Sequence, residues 1–378
     1  MAKTRIIAHQ PSWTLANDTV KLALTQLGGH MAPVSFAINR KTPIQPYYIN
    51  PWHGDVKSTG VPVLDPLRGD FFCLPFGGNG TPIDGETHTP HGDTATRKWT
   101  LVSTGKEGNT TTLKARMRTK VRKGSVTKTL SLVDGQNVVY CRHDISGMTG
   151  KLPLGHHATL AVPEAEGAML VSTSPFELGM TAPEWDGTPD VGMYPSLARG
   201  EAFTTLKKVP LVWDKPAMGD CSAFPVREGF TDLMGIWKKP TATPAWMAAV
   251  NTVDRYMWFS MKNAALLPGT MFWIANKGRH PSPWNGRNRC LGLEDVCGNF
   301  AFGAAESVRA NAISRAGFPT AVALGGKTPV SVPYLQGAVP IPAGFGRVKT
   351  VKFAPGEATF IDTKSKRVKV KVDWTFVL

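Results

Sequence analysis

Residues Trp284 to Gly298 read WNGRNRCLGLEDVCG, and the fold turns on what this stretch becomes. Leu291, Leu293 and Val296 recur at short intervals with Gly292 between the leucines, the pattern of a short, mostly buried strand. Glu294 and Asp295 then stand side by side where that pattern predicts core. A carboxylate is almost never buried without a partner, because taking its charge out of water is costly. Neighbours on a strand point to opposite faces, so only one of the two can face a given cavity. Glu294 shares a face with Gly292, whose missing side chain leaves room for something to approach. Trp284, Arg287 and Arg289 lie just upstream. A carboxylate, an open face, two cations and an indole suggest a site. A strand-end carboxylate paired to one of the arginines explains the same residues.

The 378 residues around this stretch allow one large domain or two ordinary ones. With 38 Gly, 30 Pro and no sustained helical period, the composition favours an all-β chain with many turns. No sharp boundary divides residues 1–378, which are treated as a single domain. The net charge of +15 raises nucleic acid as a partner, but the charge is spread rather than gathered in a tail. Five cysteines (Cys73, Cys141, Cys221, Cys290 and Cys297) form an odd set without CxxC spacing, which fits reduced thiols in a cytoplasmic protein. The opening MAKTRIIAHQPSW has no apolar signal region, and no run approaches a membrane span. The expectation is a cytoplasmic chain with no membrane and no specific nucleic-acid partner.

Along the chain, Val20, Leu22 and Leu24 alternate with polar or small residues, Gly28-Gly29 turns, and MAPVSFAI returns. Residues 40–70 read as an irregular connection. RGDFFCLPFGGNG, from Arg68 to Gly80, is a brief apolar strand ending in glycines; no helix or Lys-Ser/Thr follows, so it is no P-loop. His88 and His91 lie three apart on a loop, a spacing open to zinc but short of a third ligand. Residues 113–133 predict a hairpin turning at Lys123-Gly124. Leu113, Ala115, Met117, Thr119 and Val121 take one face, and Lys114, Arg116, Arg118, Lys120 and Arg122 the other. That basic face could read phosphates, but with no interleaved aromatics a solvated face that discourages edge pairing explains it. His156-His157 interrupt an apolar run, so one must face in and the other out. Residues 174–245 are broken by Pro and Gly around Trp185, Trp213 and Trp237, and aromatics return at Tyr256, Trp258 and Phe259. The C-terminus predicts two alternating strands with Val368, Val370, Val372 and Trp374 on one face.

In order, these pieces resemble the galactose mutarotase-like superfamily, the aldose 1-epimerases and hexose-6-phosphate 1-epimerases. GGHMAPVSF is similar to the family's early turn and strand, and RGDFFCLPFGG to its segment leading into Pro-Phe and Gly. HGDTATRKW resembles the element with His-Gly followed by Trp, LGHHATL stands where the family has its second histidine, and LGLEDV where it has Leu-Glu-Pro. FAPGE is similar to a Pro-Gly-Glu near its end. The chain departs from the pattern at Ala95, where the sugar-phosphate branch carries an Arg, the nearest cation being Arg97. It departs again at Asp295, which replaces Pro, and at Ala158-Thr159, which replace Tyr-Phe. Phosphorylated sugars are the substrates these changes put in doubt.

The resemblance implies a β-supersandwich of large antiparallel sheets with a concave face for a sugar or sugar derivative. Fold alone licenses no function, since the scaffold also serves non-catalytic carbohydrate binding. Inverting an anomeric centre needs a base for the C1 hydroxyl and an acid for the ring oxygen, with no cofactor and no metal. Glu294, with an ordinary carboxylate pKa, is expected as the base, and His157 as the acid. His91 is expected to hold a sugar oxygen. The choice of His157 over His156 comes from the family match. Arg68, Trp258, Trp284 and Arg287 are expected to line the sugar face. Two other readings remain open: a binding protein without turnover, and a metal enzyme using His88, His91, His157 and Glu294.

Overall fold

Strands with a single buried face alternate in hydropathy, whereas strands covered on both faces read as continuous apolar runs. The second kind dominates the middle of this chain: AWMAAVN, YMWFSMK and GTMFWIAN are buried at every position. The computed structural model, which describes residues 3–56, 58–184, 188–213 and 217–378, shows what covers them. Trp185 lies outside the described residues.

Two large antiparallel sheets stack face to face. The seven-stranded sheet runs Ala202–Phe203, Leu178–Thr181, Phe230–Trp237, Gly269–Asn276, Arg289–Cys297, Leu154–Ala161, Phe72–Cys73. The nine-stranded sheet has Tyr256–Lys262, Val330–Pro340 and Val138–Ser146 at its centre, with the Thr110–Thr119 and Gly124–Val133 hairpin towards one edge. Phe272, Ile274, Leu291 and Leu293 from the first sheet meet Trp258, Tyr334, Cys141 and Leu130 from the second in one core. A four-stranded N-terminal sheet, Arg5–Ile7 to Met31–Phe36, adds Trp13, Leu22 and Phe36 to that core.

The outer face of the nine-stranded sheet is covered too. The C-terminal sheet of Val348–Ala354, Glu357–Asp362 and Arg367–Lys371 lays Phe360, Val368 and Val370 on Met257, Phe259 and Leu335. Each such large side chain contributes about 1.5–3 kcal/mol by leaving water. Val368, Val370 and Val372 share the buried face as their alternation predicts. Trp374 has left the strand, opening a single 3₁₀ turn with its indole donating to the Ala354 carbonyl. The fold is therefore all-β, and the longest helices among the described residues have five residues. None is long and apolar enough to cross a membrane.

The basic hairpin alternates as its sequence does, with Leu113, Ala115 and Met117 buried and Lys114, Arg116 and Arg118 exposed. Its turn differs from the expectation. Thr119 pairs with Gly124, so Lys120 to Lys123 form the turn. The Asp93 carboxylate accepts the backbone N–H groups of Lys120 and Val121, at 2.5 and 3.1 Å, and ends the ladder early. Lys128, on the apolar side of the returning strand, is buried. Its ammonium donates to the Gly29 carbonyl and lies 5.4 Å from the Trp99 ring centre.

Candidate active site

Register places the two charged motifs opposite each other. In the antiparallel pair of Leu154–Ala161 with Arg289–Cys297, His157 faces Glu294 and His156 faces Asp295. The period of two then sends His157 and Glu294 to the outer face of the seven-stranded sheet, and His156 and Asp295 into the core. His157 Nε2 lies 3.2 Å from Glu294 Oε1. The other carboxyl oxygen, Oε2, is buried with no partner. Gly292 does share this face, but what approaches it is the Glu294 carboxyl itself. A Cβ at 292 would sit 2.7 Å from Oε1 and 3.0 Å from the Trp273 Cβ.

His91 joins them from the loop before the Gly92–Thr96 helix, in the left-handed region with φ 59°. Its ring meets that of His157 edge-on at 5.0 Å, and its Nδ1 lies 3.4 Å from Cys73 Sγ. Gly92 is required beside it, because a Cβ there would fall 2.0 Å from the Leu74 carbonyl oxygen. The structure thus brings together Glu294, His157 and His91 from three separate segments.

Aromatic rings enclose the group. Phe71 stacks on His157 at 4.5 Å, Trp273 meets it edge-on at 5.8 Å, and Trp284 packs on both Trp273 and Trp52. Phe71 and Trp52 are contributors that sequence reading does not single out, and Trp273, which the sequence places in an aromatic run read as core, stands opposite Gly292 on the Glu294 face. Two loops form the cover. Trp52 and Trp284 touch across it, Arg287 pairs with Asp55 at 2.6 Å, and the Asn288 amide donates to Asn50 Oδ1. Beneath it Glu294 is 1% exposed and His157 5%.

That enclosure sets the protonation states. Burial pushes the Glu294 carboxyl well above the carboxylate range. Burial, with His91 nearby, pushes His157 well below the ordinary imidazole value, and burial takes His91 to about 4. Both shifts run against the expectation of an ionised Glu294 beside a protonated His157: in this closed arrangement burial favours the neutral carboxyl and the neutral imidazole. The sign for stability follows. A raised carboxyl favours the folded state fully below its unfolded value near ~4.3, and that advantage is lost as pH rises towards the folded value. Glu294→Gln, which cannot ionise, should therefore gain stability relative to the parent as pH is raised from about 5 to about 8. Urea unfolding at several pH values measures this, and a difference independent of pH would contradict the raised carboxyl.

The remaining expected residues are placed differently. Arg68 is buried, with Nε donating to the Pro66 carbonyl and Nη1 to that of Ile7, so it braces backbone rather than facing Glu294. Trp258 belongs to the core between the sheets and donates to the Tyr47 hydroxyl, because its strand is in the other sheet. Trp284 does lie over the Glu294 face, and Arg287 sits at its rim. His88 is turned to Glu86, at 2.9 Å, which also binds Arg122. His88 thus stays apart from a set with His91, His157 and Glu294.

No family model matches this chain, and no curated protein matches it. Solved structures do. A galactose mutarotase-like protein from Clostridium acetobutylicum superposes with a TM-score of 0.61 at 11% identity, over 90% of this chain and 99% of that one. The fold is galactose mutarotase-like. A galactose mutarotase related enzyme from Lactobacillus acidophilus gives 0.55 at 10% identity, over 87% of this chain and 97% of its own. An Escherichia coli K12 protein provisionally named aldose 1-epimerase gives 0.56 at 14% identity, over 87% and 99%. At these identities the galactose mutarotase-like likeness establishes architecture, and the chemistry has to come from the site.

Proposed function

We propose that the protein is an aldose 1-epimerase-like isomerase that interconverts the anomers of an unphosphorylated sugar. The observation that carries this reading is the Glu294–His157 pair: a buried carboxyl 3.2 Å from a ring nitrogen, with its second oxygen unpartnered. Ring opening and closure require a proton donor and a proton acceptor, and an entering sugar would part this pair so that each meets its own oxygen. In the closed state Glu294 enters as the acid and His157 as the base, and a proton shift along their contact exchanges the roles. Transfer of the C1 hydroxyl proton to one and of the other's proton to the ring oxygen opens the ring. Rotation about C1–C2 and the reverse transfers close it on the other face. His91 supports the oxygen on which charge develops.

A carboxyl raised by burial is suited to holding a proton that it can give to the substrate. Of the arginines that could have met a phosphate, Arg97 pairs with Asp93 at 2.6 Å, and Arg68 gives Nε and Nη1 to backbone carbonyls while its Nη2 is unpartnered. Entry of a sugar requires the Trp52 and Trp284 loops to part, a gating step of a common kind. The closed cover favours one second reading, a carbohydrate-binding protein without turnover. A panel of freshly dissolved pure anomers, followed by NMR with and without protein, separates the two. Faster approach to anomeric equilibrium for at least one aldose is expected. Binding with an unchanged rate would establish the second reading.

A further inference from the structure

The opposite face of the His157 strand carries a different cluster. Cys141 and His143 are two apart on Val138–Ser146 of the nine-stranded sheet and so point the same way. His156, on Leu154–Ala161 of the seven-stranded sheet, points back at them. One donor atom from each, the thiol sulfur and a nitrogen of each ring, lie within 4.8 Å of one another. Among the described residues this is the one such set of three His, Cys, Asp or Glu side chains. All three are at most 1% exposed.

The hydrogen bonding of the cluster is incomplete in a particular way. His156 Nδ1 is bound to Asp70 Oδ2 at 2.9 Å, which fixes the ring, while its Nε2 has no partner. His143 Nε2 and Asp70 Oδ1 have none either. His143 Nδ1 lies 3.9 Å from Cys141 Sγ, a weak contact. Stacking on Phe72 at 3.9 Å and on Tyr334 at 4.0 Å holds the two rings. Orphaned buried polar atoms are expensive, and two of these belong to the rings of the cluster. A histidine held through Nδ1 by a carboxylate, with Nε2 open, is how ligating histidines are braced.

We propose that Cys141, His143 and His156 bind one zinc ion, which ties the two large sheets together behind the His157 strand. The donor set of one sulfur and two imidazoles suits a borderline ion such as zinc and not calcium or magnesium, which take oxygen. Tetrahedral zinc sets such donors about 3.5 Å apart, so the rings close in by about an ångström, and water supplies the fourth ligand. Binding breaks the Cys141 S–H bond, forms S–Zn and releases that proton to the buffer. Asp70 acts as a positioning residue through His156.

The test uses the full chain, stripped by chelator and titrated with cobalt, then zinc, in separate samples. Expected are one ion per chain, a thiolate-to-cobalt charge-transfer band, and a higher Tm with zinc. Cys141→Ser should abolish the band, Cys297→Ser should keep it, and Asp70→Asn should weaken zinc binding about 10–100-fold. If Cys141→Ser does not fold, X-ray absorption of the zinc-loaded parent decides, with one sulfur and two imidazole nitrogens expected. A sulfur-free shell, a band that survives Cys141→Ser, or a chain that takes up no stoichiometric zinc overturns the proposal. Because the cluster faces away from Glu294, these outcomes are independent of the anomer assay.

Discussion

Glu294→Gln is expected to lower the enzyme-accelerated rate of anomer interconversion about 10²–10⁴-fold, with sugar affinity nearly unchanged. In the closed protein burial favours the neutral form of Glu294, so glutamine copies its size and that neutral charge and should leave the cover and fold in place. What it removes is the ability to give and take that proton. An interaction used only as charge moves in the transition state lowers kcat without raising KM. His157→Asn should act in nearly the same way, because it removes the other end of the 3.2 Å contact. The double variant should be little worse than either single one, since a donor and an acceptor that exchange a proton fail as a unit. NMR exchange rates together with calorimetric titration of the sugar measure both quantities. Retention of the rate within a few-fold by Glu294→Gln would remove the pair from the chemistry and leave the binding reading.

Much of this site is legible in the sequence because a strand obeys a period of two. Once Leu291 and Leu293 are assigned to the core, Asp295 must join them and Glu294 must not, and the structure agrees. The same rule separates His156 from His157. What local pattern cannot supply is the sheet to which a strand belongs. Trp258 sits in an aromatic run as Trp273 does, yet its strand pairs with Val330–Pro340 in the other sheet and carries it into the core. Arg68 precedes an apolar strand that pairs beside His156, but contacts with the Pro66 carbonyl two residues back and the distant Ile7 carbonyl fix its direction. The Cys141–His143–His156 cluster escapes a search for CxxC spacing for the same reason. Its local signal is only Cys-x-His within an alternating strand, and its third member arrives from the facing sheet.

Asp295→Asn is expected to cost about 3–5 kcal/mol of stability while leaving the rate per folded molecule within a few-fold of the parent. Asp295 is 0% exposed and lies 2.6 Å from the Lys262 ammonium. It also accepts the Ser260, Thr270 and Tyr334 hydroxyls at 2.7, 2.7 and 3.1 Å. Burial pushes its carboxyl up, but Lys262 and these donors outweigh burial and hold it below the ordinary value. Asparagine cancels the charge and turns an N–H₂ group towards donors, leaving Lys262 buried and uncompensated. That is the costly half of a broken buried pair. Lys262→Met in the Asp295→Asn background should therefore recover part of the loss, and urea unfolding of the single and double variants measures the coupling. The rate should survive because Asp295 points between the sheets, away from His157. If Asp295→Asn abolishes interconversion and Glu294→Gln spares it, the two faces of the strand have exchanged roles, and the chemistry belongs among Ser260, Lys262 and Tyr334 instead.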